Sequence, residues 1–167
     1  MGETTNQDIL DKLRAKFPDA IQDVCEPANL LTFTTGREQV IEIISFLKSD
    51  ASLAFRFLTD LTGIHYPEKD LPLGVIYHLQ SMASNCRLRI KVFLPLRDPR
   101  IPTLTGLFPG ANWMERETYD FFGIIFEGHP DLRRILNVDD MVAFPMRKEF
   151  PLEDPNRRDK NDDFFGR

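Results

Sequence analysis

Apolar residues recur along this chain with two different spacings, and each spacing predicts one type of element. In residues 87–94 (RLRIKVFL) every second residue is apolar, which predicts a strand with one buried face. Residues 73–82 form a second strand pattern, and the polar turn at 83–85 joins the two into a hairpin. Val40, Ile44 and Leu47 recur at helical spacing instead and predict a helix over residues 37–49.

The other predicted elements are helices and strands of ordinary length. They are a helix over residues 8–17, a strand over 29–34, a strand over 55–61, a helix over 113–122 and a helix that begins at Pro130. Together they predict the α+β class, with residues 1–149 as a single domain in which a mixed or antiparallel sheet is flanked by helices. Residues 150–167 are rich in proline and charge, which predicts an extended or disordered tail. The aromatic pair Phe164 and Phe165 at its end is either incidental or indicates that the tail docks on a partner.

Composition excludes several classes of protein. The net charge of -5 disfavours a nucleic-acid binder. No apolar run is long enough to predict a membrane span. Cys25 and Cys86 stand alone, so no Cys-x-x-Cys pair is present for zinc or an iron–sulfur cluster, and we expect two reduced, buried thiols.

The helix predicted over residues 113–122 carries an unusual density of charge. Asn112 and Glu115 have the spacing of a capping box, and Gly123 is placed to end the helix. Helical geometry predicts an inward apolar face and a polar outer arc, with Arg116 and Asp120 close enough to pair. The inward face comprises Met114, Thr118, Phe121 and Phe122, and the outer arc comprises Glu115, Arg116, Glu117 and Asp120.

The candidate acid–base residues and the basic residues of one strand each have both a structural and a functional interpretation. Glu117, Asp120 and His129 are a candidate acid–base set, but a solvated arc leaves pKa values ordinary and no nucleophile accompanies them. A small stand-alone acid–base enzyme is therefore the alternative from a different class. Residues 87, 89 and 91 form a basic row that is either a solvated face or a docking stripe for an acidic partner.

The segment ERETYDFFGIIFEGHPDLRRIL, Glu115–Leu136, closely resembles the signature of the family formed by the C subunit of NADH-quinone oxidoreductase, the 30 kDa subunit of respiratory complex I. The resemblance extends to PGANW, SMASNCRLRIKV, DLTG and RKEFPL, and so to nearly the whole chain apart from its two ends. His65 stands where the resemblance leads us to expect an aspartate.

The resemblance implies a structural subunit of the peripheral arm of NADH-quinone oxidoreductase, without catalytic, cofactor-binding or metal-binding residues of its own. FMN and the iron–sulfur clusters are expected on other subunits. The main partner is expected to be the D subunit, near the quinone site, with the B and I subunits as further neighbours in a hetero-oligomer. The complex transfers electrons from NADH to quinone and couples this to proton translocation, on the cytoplasmic side of the bacterial inner membrane. A homologous subunit of a membrane-bound hydrogenase or of a ferredoxin-dependent NDH-1 complex is the alternative within this class.

The matched signature also predicts which residues form the partner interface. Trp113, Tyr119 and Phe126 are the expected aromatic anchors, because aromatic side chains dominate many interfaces. Arg116, Arg133 and Arg134 are the expected charge-assisted partners. The full predicted interface is Trp113, Glu115, Arg116, Glu117, Tyr119, Asp120, Phe126, His129, Pro130, Asp131, Arg133, Arg134, Arg147 and Lys148.

Overall fold

The computed structural model describes residues 4–150, and residues 1–3 and 151–167 lie outside the description. Within residues 4–150, three α-helices, one short 3-10 helix and seven strands follow one another. They are α1 (Asn6–Lys16), β1 (Gln22–Cys25), the 3-10 helix (Pro27–Asn29), β2 (Leu31–Thr34), α2 (Val40–Ser49), β3 (Phe57–His65), β4 (Leu73–Gln80), β5 (Arg87–Leu94), β6 (Arg100–Pro102), α3 (Ala111–Phe122) and β7 (Ile125–Glu127).

Five strands form one mixed sheet in the order β1-β2-β5-β4-β3. Strand β2 runs parallel to β5, and the other pairs are antiparallel. Strands β4 and β5 form the predicted hairpin, with Tyr77 opposite Ile90. The α+β class with a mixed sheet and helices is thus confirmed. The tail predicted for residues 150–167 lies outside the described residues except for Phe150.

The hydrophobic core lies on one face of this sheet. Along β5 every second residue from Leu88 to Leu94 is fully buried, while Arg87 at the start of the strand is exposed. Apolar residues of α1 and α2, among them Leu13 and Ile44, belong to the same buried cluster. Each such side chain contributes roughly 1.5–3 kcal/mol when fully buried. The opposite face of the sheet is only partly covered, which places the predicted basic row on an open surface.

Helix α1 begins two residues before its predicted start. Thr5 is the N-cap: its hydroxyl accepts a hydrogen bond from the backbone N–H of Asp8 at 3.2 Å, and the Asp8 carboxylate accepts one from the backbone N–H of Thr5 at 2.9 Å. This reciprocal capping box stabilises the first turn. The predicted helices over residues 8–17 and 37–49 and the predicted strands are confirmed, with shifted ends.

Helix α3 packs on the edge strand β3, and one glycine permits the contact. A Cβ at Gly63 would collide with the Phe122 ring, at 2.8 Å from its Cγ and 2.9 Å from its Cε2. Strands β6 and β7, which are only three residues long and were not predicted, form a separate parallel pair beside α3.

Two smaller expectations were wrong. The helix predicted from Pro130 does not form. Both cysteines are free as expected, but Cys25 is exposed and Cys86 half-buried, because Cys25 lies on the outer strand β1. Among residues 4–150, no helix combines the length and apolarity needed to cross a membrane.

Candidate functional site

Helix α3 has the predicted end but not the predicted start. Its N-cap is Gly110 without a side-chain cap, so the predicted capping box of Asn112 and Glu115 is wrong. Its C-cap is Gly123, as predicted, in the left-handed conformation with φ of 71°. The inward face is confirmed, because two of its predicted members are buried and two partly buried. The buried pair is Thr118 and Phe122, and the partly buried pair is Met114 and Phe121.

Glu115 is not on a solvated arc but fully buried. Its carboxylate accepts hydrogen bonds from the Thr103 hydroxyl at 2.5 Å and from the Leu104 backbone N–H at 2.6 Å. Burial raises the pKa of Glu115 to about 7, against the lowering effect of these two donors. Glu115 therefore ties α3 to the loop that follows β6, and the prediction that it is solvated was wrong.

The His129 side chain is buried beside Glu115. Its Nδ1 accepts a hydrogen bond from the Asp131 backbone N–H at 3.0 Å, so the ring proton sits on Nε2. That Nε2 lies 3.2 Å from the Asn112 carbonyl oxygen and 4.0 Å from the Glu115 carboxylate. His129 thus bridges the turn after β7 to the first turn of α3.

Asp120, also placed on the outer arc by the sequence, is fully buried. One oxygen, Oδ2, accepts hydrogen bonds from three consecutive backbone N–H groups, those of residues 135, 136 and 137, at 2.8 to 3.1 Å. The other, Oδ1, lies 2.6 Å from Nη1 of Arg134 and 3.0 Å from Nδ2 of Asn137. Burial alone would raise the pKa of Asp120, but these donors outweigh it and hold the pKa well below its usual range.

This carboxylate explains why no helix follows Pro130. A helix from Pro130 would use the N–H groups of residues 135–137 for its own backbone ladder. Here they all point to Asp120, and the chain runs without regular secondary structure to Phe150. A side chain of α3 has replaced the backbone as acceptor.

Two arginines satisfy backbone carbonyls in the same region. Arg116 does not pair with Asp120 as predicted; it donates from Nε to the Arg133 carbonyl at 3.2 Å and from Nη2 to the Arg134 carbonyl at 3.1 Å. Its guanidinium lies 5.2 Å from the Trp113 ring centroid. Arg134 donates, besides its ion pair, to the carbonyls of residues 141 and 143.

The last described residues are fixed to α3 and β3. The Arg147 Nε donates to the Phe122 carbonyl at 2.7 Å, at the end of α3. The Phe144 ring is close to two cations, with the Arg147 guanidinium at 4.6 Å and the Arg134 guanidinium at 5.3 Å from its centroid. The backbone N–H of residue 148 donates to Nδ1 of the buried His65 at 3.0 Å.

The structure does not assemble the candidate acid–base set. Glu117 is exposed, Asp120 is buried in its ion pair, and His129 contacts the start of α3 instead. The three side chains therefore have different surroundings. Within the described part of the chain, no group of three or more His, Cys, Asp or Glu side chains is arranged to hold a metal ion.

Several large apolar side chains are exposed on α3 and on the segment that covers this buried network. Ten large hydrophobic residues of the described chain are exposed, and five of them lie on α3 or in the segment after β7. These five are Trp113, Leu136, Val138, Val142 and Met146, which we call the apolar patch. Val142 is 96% exposed, and such a concentration on an irregular segment is typical of an interaction site.

Comparison with known proteins decides the family. The family model described as the respiratory-chain NADH dehydrogenase 30 Kd subunit matches residues 33–156. The chain belongs to this family. It is thus a subunit of respiratory complex I, a multi-subunit NADH dehydrogenase of the electron-transport chain.

Relatives and solved structures agree with this assignment. The chain is 44% identical over 154 residues to the C subunit of NADH-quinone oxidoreductase from Geobacter metallireducens, covering 92% of this chain and 93% of that one. It is 43% identical over 147 residues to the C subunit from a Roseiflexus species, covering 88% and 84%. A trypsin-resistant fragment of Nqo5 has a TM-score of 0.66 at 34% identity, covering 75% of this chain and 98% of the fragment.

A more distant structure shows the same fold. In the membrane-bound sulfane sulfur reductase, an archaeal respiratory membrane complex, one chain has a TM-score of 0.73 at 24% identity. That match covers 87% of this chain and 85% of the other.

The sequence did not reveal several residues that complete the network of contacts around Glu115 and Asp120. Four residues that take part were not predicted, because their contacts join segments far apart in the chain; they are Thr103, Leu104, Asn137 and Phe144. One signal was available for Glu115: it precedes Thr118 by three residues and Phe122 by seven, so helical spacing places it on the inward stripe.

Proposed function

We propose that this chain is a non-catalytic structural subunit of the peripheral arm of NADH-quinone oxidoreductase, packed against the D subunit near the quinone site. It holds no cofactor itself and supports NADH-to-quinone electron transfer, coupled to proton translocation, by fixing the arrangement of its neighbours. The B and I subunits are the further proposed neighbours, on the cytoplasmic side of the bacterial inner membrane.

One observation carries the proposal: the apolar patch is exposed, yet the segment that bears it is fixed from beneath. Asp120 and Arg134 hold its backbone, and Arg147 closes it against the end of α3. A segment ordered before binding loses little conformational entropy when a partner covers it. A fixed apolar surface on an irregular segment therefore fits a permanent contact between subunits.

Burial divides the predicted interface residues into those that can contact a partner directly and those that cannot. Phe126 is buried in the core, and Arg116 and Arg134 donate to carbonyls of this chain, so these three support the surface from within. Trp113 is 62% exposed, and the Arg133 side chain is 71% exposed. We propose Trp113 as the aromatic anchor, with Arg133 at the polar rim.

Residues at the edge of the patch complete the proposed contact. Tyr119 is half-buried against Phe144, and four further predicted interface residues are exposed besides Trp113 and Arg133. These four are Glu117, Pro130, Asp131 and Lys148. Polar groups around an apolar centre are the usual anatomy of an interface.

The proposed contact is tested by placing charged residues in the apolar patch and measuring assembly of the complex. Trp113→Glu combined with Val142→Glu is expected to abolish co-purification of the D subunit with this chain, because two carboxylates would be buried without partners. Met82→Glu is the matched control, since Met82 is 74% exposed in the turn between β4 and β5. Unchanged assembly of the double variant, with native thermal stability of the isolated chain, would refute the proposed contact.

A further inference from the structure

The open face of the five-stranded sheet carries a second polar arrangement, far in sequence from the apolar patch. Arg89, His78 and Asp60 lie directly opposite one another on three adjacent strands, β5, β4 and β3. The Arg89 Nε donates to Nε2 of His78 at 2.8 Å, and Nδ1 of His78 lies 3.3 Å from the Asp60 carboxylate.

A break in the strand register places Asp60 in this line. Strand β3 pairs with β4 as Leu58 opposite Leu79 and then Asp60 opposite His78, so Thr59 is an extra residue between them. A bulge of this kind re-aims the next side chain. Without it, Thr59 would stand opposite His78 and the carboxylate would be lost from the row.

The line of contacts fixes the orientation of Arg89. A ring nitrogen that accepts from a guanidinium carries no proton, so His78 holds its proton on Nδ1, toward Asp60. Burial, then the charge of Arg89, lowers the pKa of His78, against the raising effect of Asp60. His78 is therefore neutral at pH 7 and remains an acceptor for Arg89.

Two other cationic side chains flank Arg89, and a depression in the surface lies beside it. Arg87 and Lys91 flank it on the same face of β5, and within residues 4–150 none of the three has a carboxylate at ion-pair distance. A depression of about 220 Å³ lies beside Arg89, and its lining includes Leu30, Thr59, Asp60 and His78. The protein as a whole has a net charge of -5, so this row is a local reversal of sign.

We infer that this face is a second docking surface, on which Arg89, positioned by His78 and flanked by Arg87 and Lys91, binds an aspartate or glutamate side chain of another subunit. Charge complementarity indicates that the bound group is a carboxylate. The Nε of Arg89 already donates to His78, so the remaining N–H groups of its guanidinium are available to a carboxylate. The depression beside Arg89 leaves room for the methylene groups next to that carboxylate. If these basic residues served only as a solvated or edge-protecting face, Arg89 would not need His78 and Asp60 to orient it.

Zero-length carbodiimide cross-linking of the purified complex tests the occupant. In the native chain, we expect an amide bond between Lys91 and an acidic residue of another subunit. In an Arg89→Lys variant, we expect a further bond from the lysine at position 89. Mass spectrometry of the digested complex detects both cross-links. Lys16, which lies over the Phe46 ring on a different part of the surface, is the control amine. Amide bonds from positions 89 and 91 only to acidic residues 151–167 of this chain, or none at all, would overturn the proposal.

Salt-dependent release of the subunit from the complex tests the role of His78. Arg89→Gln is expected to lower the NaCl concentration that releases half of the subunit by about twofold or more, because a desolvated charge contact is lost. His78→Phe, which removes the acceptor, is expected to have a similar effect, and His78→Gln, which restores an acceptor oxygen, to recover most of it. Arg14→Gln changes the same charge on an exposed position of α1 and is expected to have no effect. Equal release midpoints for Arg89→Gln and Arg14→Gln would refute the site.

Discussion

Asp120 and Arg134 form a buried ion pair, with 2.6 Å between Oδ1 and Nη1, that joins a helix to a segment without regular secondary structure. The pair stands at the centre of a network in which α3 supplies the acceptor and residues 134–137 supply the donors. Asp120 thereby ties the backbone of the irregular segment to α3.

Asp120→Asn is expected to destabilise the chain by roughly 3–5 kcal/mol, because Arg134 would be left as a buried charge without its counter-ion. Urea unfolding measures the loss. Asp131→Asn is the control: its ion pair with Arg133 is exposed and worth about 0–1 kcal/mol. A loss for Asp120→Asn no larger than that for Asp131→Asn would contradict the importance of the buried pair.

Glu115→Gln is expected to reduce the dependence of stability on pH. The folded-state pKa of Glu115 is raised from 4.5 to about 7, so the folded protein binds this proton more tightly than the unfolded chain. Below about pH 4.5 both states are protonated and the group costs nothing; the cost grows as pH rises and is complete above about 7. The glutamine variant is expected to be more stable than the native chain by up to about 3 kcal/mol at pH 8, and by much less at pH 4.5.

Unfolding measurements at a series of pH values compare this variant with Glu117→Gln, which alters an exposed residue of α3. The stability difference between Glu115→Gln and the native chain should rise between pH 4.5 and 7, beyond any change produced by Glu117→Gln. A difference that is independent of pH for Glu115→Gln would show that its carboxyl titrates normally.

Gly63→Ala is expected to cost roughly 1–3 kcal/mol, because the added methyl group would lie within 3 Å of Phe122 ring atoms where α3 packs on β3. Gly106→Ala is the matched control, since a Cβ at Gly106 meets no atom within 4 Å. Thermal unfolding of the two variants separates the contact from any general effect of replacing glycine. Equal melting temperatures would mean that α3 can shift away from β3 without loss.

Gly123→Ala is expected to be more damaging than Gly128→Ala, although both glycines have positive φ values, 71° and 82°. Each substitution places a Cβ in a left-handed conformation, at a cost of roughly 1–2 kcal/mol. At Gly123 the Cβ would also lie 2.5 Å from Phe144 Cε2 and 2.8 Å from Arg147 Nη2, whereas at Gly128 its nearest neighbour is Thr103 Cγ2 at an ordinary 3.4 Å.

The difference in unfolding free energy between these two variants isolates the contact of the irregular segment with the end of α3. We expect a further loss of about 1–3 kcal/mol for Gly123→Ala from overpacking. Similar losses for the two variants would indicate that Phe144 and Arg147 move aside at no cost.

Much of the fold could be predicted because its signals are local. Period-two burial along β5, the helical spacing of α2 and the glycine that ends α3 all depend on neighbours within a few residues. The errors have a common cause. Glu115 and Asp120 were assigned to a solvated arc because they are charged, but their partners lie 11 to 17 residues away in the chain.

The sequence by itself determined the α+β class, the position of the hairpin and of α3, and, through its matched signature, the family. Only the tertiary structure decided that two acidic residues of that signature are buried internal acceptors, and that Trp113 remains on the surface. The physical reason is that a polar side chain can be buried once it has hydrogen-bond partners, and those partners come together only when distant segments have packed.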